Sequence, residues 1–322
     1  MKLIKPSYEI WEQGKELSGV VAQIERAARV CYASEPKGEV GELLGKLIKS
    51  KHYAMLEHGT VYLYIPSFEG DFYQHEDGSI DMPRDVRKYY NNKYSKFDYE
   101  DSIQESGFYI TTNYRVLVEN NWLDDLKYLC EPTEYHEKRI TVKFTMDRIG
   151  SQSFCRHRVF SFAQESTRYC NYSKDKFDNE ITFIIPSWVD TSKFYKHSII
   201  IKDGEGELIS EYYFHLTRKE EPHFKPWEIT PESNFKASLE VSEQLYLALI
   251  NQGWKPQQAR QVLPNALKTE LVMTGFVSDW KHFFDLRAIG TTGKPHPDAE
   301  VLAKPLMNEF IERRYLNGTS NS

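Results

Sequence analysis

Residues 140–169 read ITVKFTMDRIGSQSFCRHRVFSFAQESTRY. The opening of this stretch predicts a strand, because Ile140, Val142, Phe144 and Met146 alternate with Thr141, Lys143 and Thr145, the two-residue period of a half-buried β-strand. Residues 147–155 then lead to a basic cluster. Arg156, His157, Arg158 and Arg168 fall within thirteen positions, interleaved with the hydroxyls of Ser161, Ser166 and Thr167. Guanidinium forks pair with phosphate and carboxylate in bidentate fashion, and hydroxyls and loop amides add donors. Phe160, Phe162 and Tyr169 offer flat faces to a heteroaromatic ring. A run of charge is usually a solvated turn. Here the arginines alternate with apolar residues directly after a strand, which predicts a place near the core, where each needs a partner. Glu165 is the one acid within residues 156–169, so an anionic ligand is expected to satisfy the rest.

Working outward, residues 15–33 read as a helix, with Leu17, Val20, Val21, Ile24, Ala27, Ala28 and Cys31 at three- and four-residue steps. A second helix is expected over 40–50, carrying Leu43, Leu44, Leu47 and Ile48. Glu57-His58 leads into a strand over 60–65 that Pro66 stops. Residues 66–110 are rich in Tyr, Asp, Lys, Gly and Asn and read as an insertion of loops and short elements on the surface, or a lid. Helical pattern returns over 113–130, and residues 181–185 form another strand before Pro186. Residues 187–232 are mixed, with a turn at Asp203-Gly204-Glu205-Gly206. The last ninety residues read as mostly helical. Leu239, Leu245, Tyr246, Leu249 and Ile250 make one apolar face, Pro256 opens a helix, and Ser278 or Asp279 caps one carrying Trp280, Phe283, Phe284 and Leu286. The fold class is therefore α+β (α/β), an antiparallel or mixed sheet flanked by helices.

The bulk properties exclude several functions. The chain has 322 residues, 40% hydrophobic and 27% charged, and a formal net charge of −6. That composition fits a soluble globular protein, and the acidic balance argues against a general nucleic-acid binder. The four cysteines, Cys31, Cys130, Cys155 and Cys170, form no CxxC pair, which argues against a zinc ribbon or any other metal site. With no apolar leader over residues 1–14 and no run long enough to span a membrane, the expectation is reduced thiols in a cytoplasmic protein. No GxGxxG follows a strand, and Gly290-Thr291-Thr292-Gly293-Lys294 lacks P-loop spacing.

Arg156-His157-Arg158, seven residues and then Ser166 together resemble the signature of the flavin-dependent thymidylate synthases (ThyX). Four further segments match that family in order: Ala27-Ala28-Arg29-Val30-Cys31-Tyr32, Leu56-Glu57-His58-Gly59-Thr60-Val61, Ala259-Arg260-Gln261-Val262-Leu263-Pro264 and His282-Phe283-Phe284-Asp285-Leu286-Arg287. Residues 66–139 and 187–232 lie largely outside the resemblance, as insertions in a single domain over 1–322. The resemblance implies a ThyX-like fold assembled as a homotetramer with shared active sites. It implies reductive methylation of dUMP to dTMP, with carbon from methylene-tetrahydrofolate, electrons from NADPH and FAD as hydride relay. Arg156, His157, Arg158, Thr60, Gln164, Ser278 and His282 would hold FAD. Ser153, Arg156, Gln164, Glu165, Ser166, Thr167, Arg168, Arg260 and Arg287 would bind dUMP, with Ser166 and Arg168 at the phosphate. Arg287 would face the uracil and favour its ionised form.

The chain also departs from the family. Ser153 stands where Glu or Gln is common, Gln164 where Glu is common, and Phe276-Val277-Ser278 where the flavin-contacting Asn-Ala-Arg usually lies. Each residue has a plainer reading too. His58 suits a half-buried strand end, His282 a core position, Arg287 a cap on its own helix through the dipole, and Arg260 a surface ion pair. Ser166 lacks a nearby Ser-His-Asp relay, so a phosphate-binding role is expected rather than a nucleophilic one. A non-catalytic nucleotide- or RNA-binding protein, and a flavoenzyme acting on another pyrimidine nucleotide, remain open alternatives.

Overall fold

The structure, a computed structural model, describes all residues except 36–37, 68–72, 76–79, 102–105, 175–176, 178–179, 195–198, 203–207, 213–229 and 317–322. The turn expected at 203–206 lies outside the described residues. In chain order the elements are β1 (Lys2–Ile4), β2 (Ser7–Trp11), α1 (Glu16–Tyr32), α2 (Glu42–Lys49), β3 (Thr60–Pro66), β4 (Tyr73–Gln74), β5 (Ile80–Asp81), α3 (Arg84–Tyr90), β6 (Lys96–Asp101), β7 (Ser106–Asn113) and α4 (Tyr114–Asn120). They continue with β8 (Arg139–Asp147), α5 (Arg148–Phe154), β9 (Ser161–Gln164), β10 (Thr182–Ile184), β11 (Ile199–Lys202), β12 (Leu208–Tyr212), α6 (Pro231–Asn251), α7 (Pro256–Ala259), β13 (Lys268–Phe276), α8 (Val277–Phe284) and α9 (Pro297–Glu312). These pack as two compact units, each drawn from three stretches of chain. Met1–Pro6, Met146–Gly150 and Thr167–Lys268 form the smaller, and Ser7–Thr145, Ser151–Ser166 and Thr269–Ser322 the larger.

The larger unit contains a sheet in the order β2-β8-β13-β9. β2 runs antiparallel to β8 with Trp11 opposite Thr141, and β9 antiparallel to β13 with Ser161 opposite Thr274. Rings from β8, α5, α8 and α9 form an aromatic core. Phe144 meets Phe154 edge-on at 5.1 Å, Phe154 meets Phe283 at 4.9 Å, and Trp280 lies 5.4 Å from both Phe283 and Phe310. Burying each such ring contributes roughly 1.5–3 kcal/mol. Phe160 can reach this cluster because β13 has Gly275 beside it: a β-carbon there would lie 2.5 Å from Phe160 Cδ1.

A second sheet of the larger unit, β3-β7-β6, is antiparallel throughout. It shares a core with α1 and α2 through Val20, Ile24, Leu47, Val61, Phe108 and Ile110. This corrects the placing of 66–110 on the surface. Met82, Val86, Tyr89 and Phe108 are all buried, and β7 is a strand buried along nearly its whole length. The segment's share of that core was hidden because its members Met82, Val86, Tyr89, Phe97 and Phe108 are spaced widely among polar residues.

The last ninety residues are mostly helical, as expected, but they also hold a strand that the sequence reading did not place: β13 passes through the middle of the first sheet. Its last six residues, Val-Met-Thr-Gly-Phe preceded by Leu271, are all buried, so the strand shows no alternation and its apolar run resembles a helix segment. Ser278 and Asp279 do not cap α8. The cap position is Phe276, and Asp279 Oδ2 accepts its N–H at 3.0 Å from within the first turn.

In the smaller unit β1 pairs parallel with β10, Leu3 opposite Phe183, and β11 pairs antiparallel with β12. Thr230 caps α6 by accepting Ser233 N–H at 3.0 Å, with Pro231 opening the helix. Leu239, Glu243 and Tyr246 form its buried face, whereas Leu245 is exposed, one residue out of step with that stripe. Glu243 is kept inside by a 2.7 Å bond from Ile181 N–H.

Candidate active site

The basic cluster occupies the turn between α5 and β9. Phe154 ends the helix inside the aromatic core, and the turn is closed by His157 N–H to Phe154 O at 3.0 Å and Phe160 N–H to His157 O at 3.1 Å. Phe154 and Phe160 are both buried, one at either end of the turn. Arg156 and Arg158 are exposed, and His157 is buried, its ring 5.0 Å from Phe283. The arginines are therefore not near the core, contrary to the sequence expectation. Of the three basic side chains only imidazole can shed its charge, so it takes the inward place.

Arg287 comes to this turn from 130 positions along the chain. Its Nε donates to His157 Nε2 at 3.1 Å and its Nη2 to Ser153 O at 2.9 Å. It sits in a π-turn, Asp285–Ile289, that extends α8 and closes with Gly290 N–H on Asp285 O at 2.9 Å. π-turns recur at functional sites because the added residue re-aims the side chains around it. Arg287 does not cap its own helix. It caps α5, taking a carbonyl of that helix's last turn. Burial, then the charges of Arg287 and His282, push His157 down to about 4, so the imidazole is neutral at pH 7. With Nε2 accepting from Arg287, its proton resides on Nδ1, an assignment that follows from the bond. Burial and the charge of Arg156 lower the pKa of Arg287. His282 is exposed, its ring 6.1 Å from that of His157.

The other positions read from the sequence divide clearly. Gln164 Nε2 donates to Ser151 Oγ at 2.8 Å and Thr269 Oγ1 at 3.4 Å. Glu165 is buried, its N–H on Glu270 O at 2.9 Å, and Ser166 N–H donates to Cys31 O at 3.1 Å. Cys31 in turn lines a cavity of about 490 Å³ with Tyr32, Lys51, His52, Tyr53 and Arg115, a volume in the range of small-ligand pockets. Ser278 turns elsewhere: its N–H and hydroxyl both donate to Glu137. The remaining three residues belong to the smaller unit, whose boundary falls between Ser166 and Thr167. There Arg260 Nη1 donates to the buried Thr167 Oγ1 at 3.0 Å, while Arg168 is exposed and lies 5.4 Å from the Tyr169 ring centroid.

Sequence reasoning missed Arg139. It is buried, donating from Nη1 to Glu57 O at 2.9 Å and Thr60 Oγ1 at 3.4 Å, and from Nη2 to Ser161 Oγ at 3.3 Å. Its Nε has no hydrogen-bond partner among the described residues, and burial lowers its pKa to about 10. Preceded by Glu137 and Lys138, it looks like an ordinary solvated strand flank. Thr60 is held by a two-way amide bridge, Gln13 Oε1 accepting its N–H at 2.8 Å and Gln13 Nε2 donating to its carbonyl at 2.9 Å. His58 is fully buried rather than half-buried. Its Nδ1 lies 2.8 Å from Thr274 Oγ1, which lies 2.8 Å from Thr141 Oγ1. Burial first, and the Arg139 charge second, push His58 down to about 3, so it too is neutral. The larger unit thus combines exposed arginines, a buried guanidinium and neutral imidazoles, a set suited to an anionic or electron-rich ligand. Among the described residues no three His, Cys, Asp or Glu side chains meet as a metal-holding group, and no helix is long and apolar enough to cross a membrane.

A family model described as "Thymidylate synthase complementing protein" matches residues 104–313. The match takes in 104–139 and 187–232, which the motifs left outside the resemblance, and omits the N-terminal motifs at 27–32 and 56–61. Among curated proteins, the flavin-dependent thymidylate synthase of Pyrococcus furiosus is 25% identical over 140 residues, 44% of this chain and 42% of that protein. That of Corynebacterium glutamicum is 26% identical over 156 residues, 48% of this chain and 50% of that protein. The chain spans about half the length of the curated relatives it matches. Among solved structures, a UMP/dUMP methylase, PolB from Streptomyces cacaoi bound with 5-Br UMP, aligns with a TM-score of 0.41 and 15% identity, covering 97% of this chain and 92% of that one. A likeness this loose carries no weight for fold or function.

Proposed function

The chain belongs to the flavin-dependent thymidylate synthase family, and from that premise we propose that it methylates dUMP reductively to dTMP, using methylene-tetrahydrofolate, NADPH and bound FAD. The observation that carries the proposal is the meeting of Arg287 with the Arg156–Arg158 turn at His157, 3.1 Å apart, since it joins two family motifs whose residues lie 130 positions apart in sequence.

The donor set fits a flavin. Arg156 and Arg158 are exposed cations able to take phosphate oxygens, and the buried Arg139 has an unpartnered Nε beside Thr60. In this proposal Arg156, Arg158, Thr60, Gln164 and His282 hold FAD, which supplies hydride-transfer chemistry when bound, while His157, buried with its Nε2 taken by Arg287, is not given that role. Ser278 is a weaker candidate, because its donors are taken by Glu137. Arg287 faces the pyrimidine and stabilises negative charge on its imide edge. A half-buried guanidinium does this better than a solvated one, because it needs no reorganisation as charge develops. Ser153, Arg156, Gln164, Glu165, Ser166 and, in the smaller unit, Thr167, Arg168 and Arg260 complete the dUMP ligands. The assembly is a homotetramer with shared active sites, in the cytoplasm.

Purified protein is expected to be yellow, with a flavin absorbance band near one FAD per chain that shifts on adding dUMP, and to form dTMP when methylene-tetrahydrofolate and NADPH are supplied. Colourless protein that FAD does not reconstitute, and that forms no dTMP, overturns the proposal. If it still binds dUMP, the non-catalytic reading takes its place. Turnover confined to another pyrimidine nucleotide overturns the substrate alone.

A further inference from the structure

We propose that His157 is a positioning residue for Arg287: its Nε2 takes the Arg287 Nε–H and fixes the guanidinium with its Nη1 side turned outward to bind substrate. This inference rests on the function proposed above and assigns His157 a role other than holding flavin.

The geometry sets the orientation of Arg287 at two points. Nε is bonded to His157 at 3.1 Å and Nη2 to Ser153 O at 2.9 Å. Two bonds from one planar group determine its plane as well as its position. Of the five guanidinium hydrogens, two are used. The rest lie on Nη1 and one side of Nη2, and among the described residues Nη1 donates to none. What they offer is a flat pair of donors, suited to a planar ligand with two adjacent acceptors, such as the oxygen and ionised nitrogen of an imide edge or the two oxygens of a carboxylate.

His157 is itself rigid enough to serve. Its ring is packed against Phe283 at 5.0 Å and Phe160 at 6.4 Å, and its N–H is tied to Phe154 O at 3.0 Å. The acceptor role also requires a neutral ring, because an imidazolium would present a donor to a donor. Burial and the neighbouring charges keep it neutral.

The test compares H157F, H157Q, H157N and R287A by dUMP affinity and flavin content of the purified holoenzyme. H157F keeps the packing and removes the acceptor, and is expected to weaken dUMP binding roughly thirtyfold with flavin content unchanged, the size of one lost charge-assisted bond. H157Q restores an acceptor near Nε2 and should recover to within about threefold, while the shorter amide of H157N should not. The double variant H157F/R287A should bind dUMP no more weakly than R287A alone, because His157 acts only through Arg287. Loss of flavin in H157F, equal losses in H157Q and H157N, additive losses in the double variant, or normal dUMP binding by H157F each overturn the inference. Should H157F fail to fold, H157Q against H157N decides it. Wild-type protein that binds dUMP but forms no dTMP overturns the proposed reaction and not this inference, which is read from affinity.

Discussion

Arg260 donates from Nη1 to Thr167 Oγ1 at 3.0 Å, joining positions 93 residues apart within the smaller unit. The hydroxyl is buried, so the bond holds a half-buried guanidinium in one place. Replacing Thr167 with Val keeps the shape and removes the acceptor. Such a loss costs about 1 kcal/mol of stability, and a mobile Arg260 should weaken dUMP binding about tenfold. Urea unfolding and calorimetry of dUMP binding check the two effects separately. Unchanged dUMP affinity in a variant of reduced stability would make Arg260 a purely structural residue.

Arg139 is a buried cation whose guanidinium hydrogen bonds all go to neutral oxygens, Glu57 O, Thr60 Oγ1 and Ser161 Oγ, while it lies 5.5 Å from the Phe276 ring centroid. Arg139→Met should destabilise the protein by roughly 2–4 kcal/mol, because it strands several buried acceptors at once. Arg139→Lys should restore little, since one ammonium does not reproduce the fork. If Thr60 lies at the flavin, both variants should also lose FAD on gel filtration. Urea midpoints and flavin content measure the two consequences, and wild-type stability in Arg139→Met would show that the pocket closes readily over the missing charge.

What the sequence revealed and what it hid have physical reasons. α1 and α2 were legible because each has one wet and one dry face, and β3 and β8 because apolar residues alternate with tyrosine or polar ones along the strand, the contrasts that periodicity records. β13 was not, because a strand buried on both sides loses its alternation. The family motifs singled out Arg287, His157 and Arg260 as candidate site residues. Their partners were hidden. No local pattern links Arg287 to His157, or Arg260 to Thr167, because pairing at that separation is decided by how elements pack. The inward turn of His157 between two outward arginines was misread for a related reason. Alternation was read as burial of the charges, when the anchoring phenylalanines at 154 and 160 bury the one basic group that can be neutral.

Two buried neutral histidines set a pH dependence. Burial holds His157 at about 4 and His58 at about 3, against an unfolded value of about 6.5. Below that value the unfolded chain gains protons that the folded chain refuses, so the stability these groups contribute is complete above pH 6.5. It is lost progressively as pH falls through 6.5 toward 4 and 3. Urea midpoints should therefore decline from pH 7 to pH 5, and less steeply in H157F, which has one such histidine fewer. A midpoint in H157F that falls as fast as in wild type would mean that His157 is protonated in the folded protein near its ordinary pH.

Gly275 tests whether the strand beneath the basic turn sets the geometry of that turn. A β-carbon at this position would lie 2.5 Å from Phe160 Cδ1 and 2.6 Å from Cε1, and Phe160 is wedged against Trp280 at 4.7 Å with little room to retreat. Gly275→Ala should destabilise the protein by about 1–3 kcal/mol, the usual range for overpacking a close-packed core. Because Phe160 N–H closes the turn on His157 O at 3.1 Å, displacing the ring should also disturb His157 and, through it, Arg287. Activity should therefore fall further than stability alone accounts for. Shortening the ring's reach with Phe160→Leu should relieve the clash, so that the double variant is more stable than the sum of the two single changes predicts. Strict additivity would mean that strand and turn adjust independently, and that the position of Arg287 does not depend on the contact between Gly275 and Phe160.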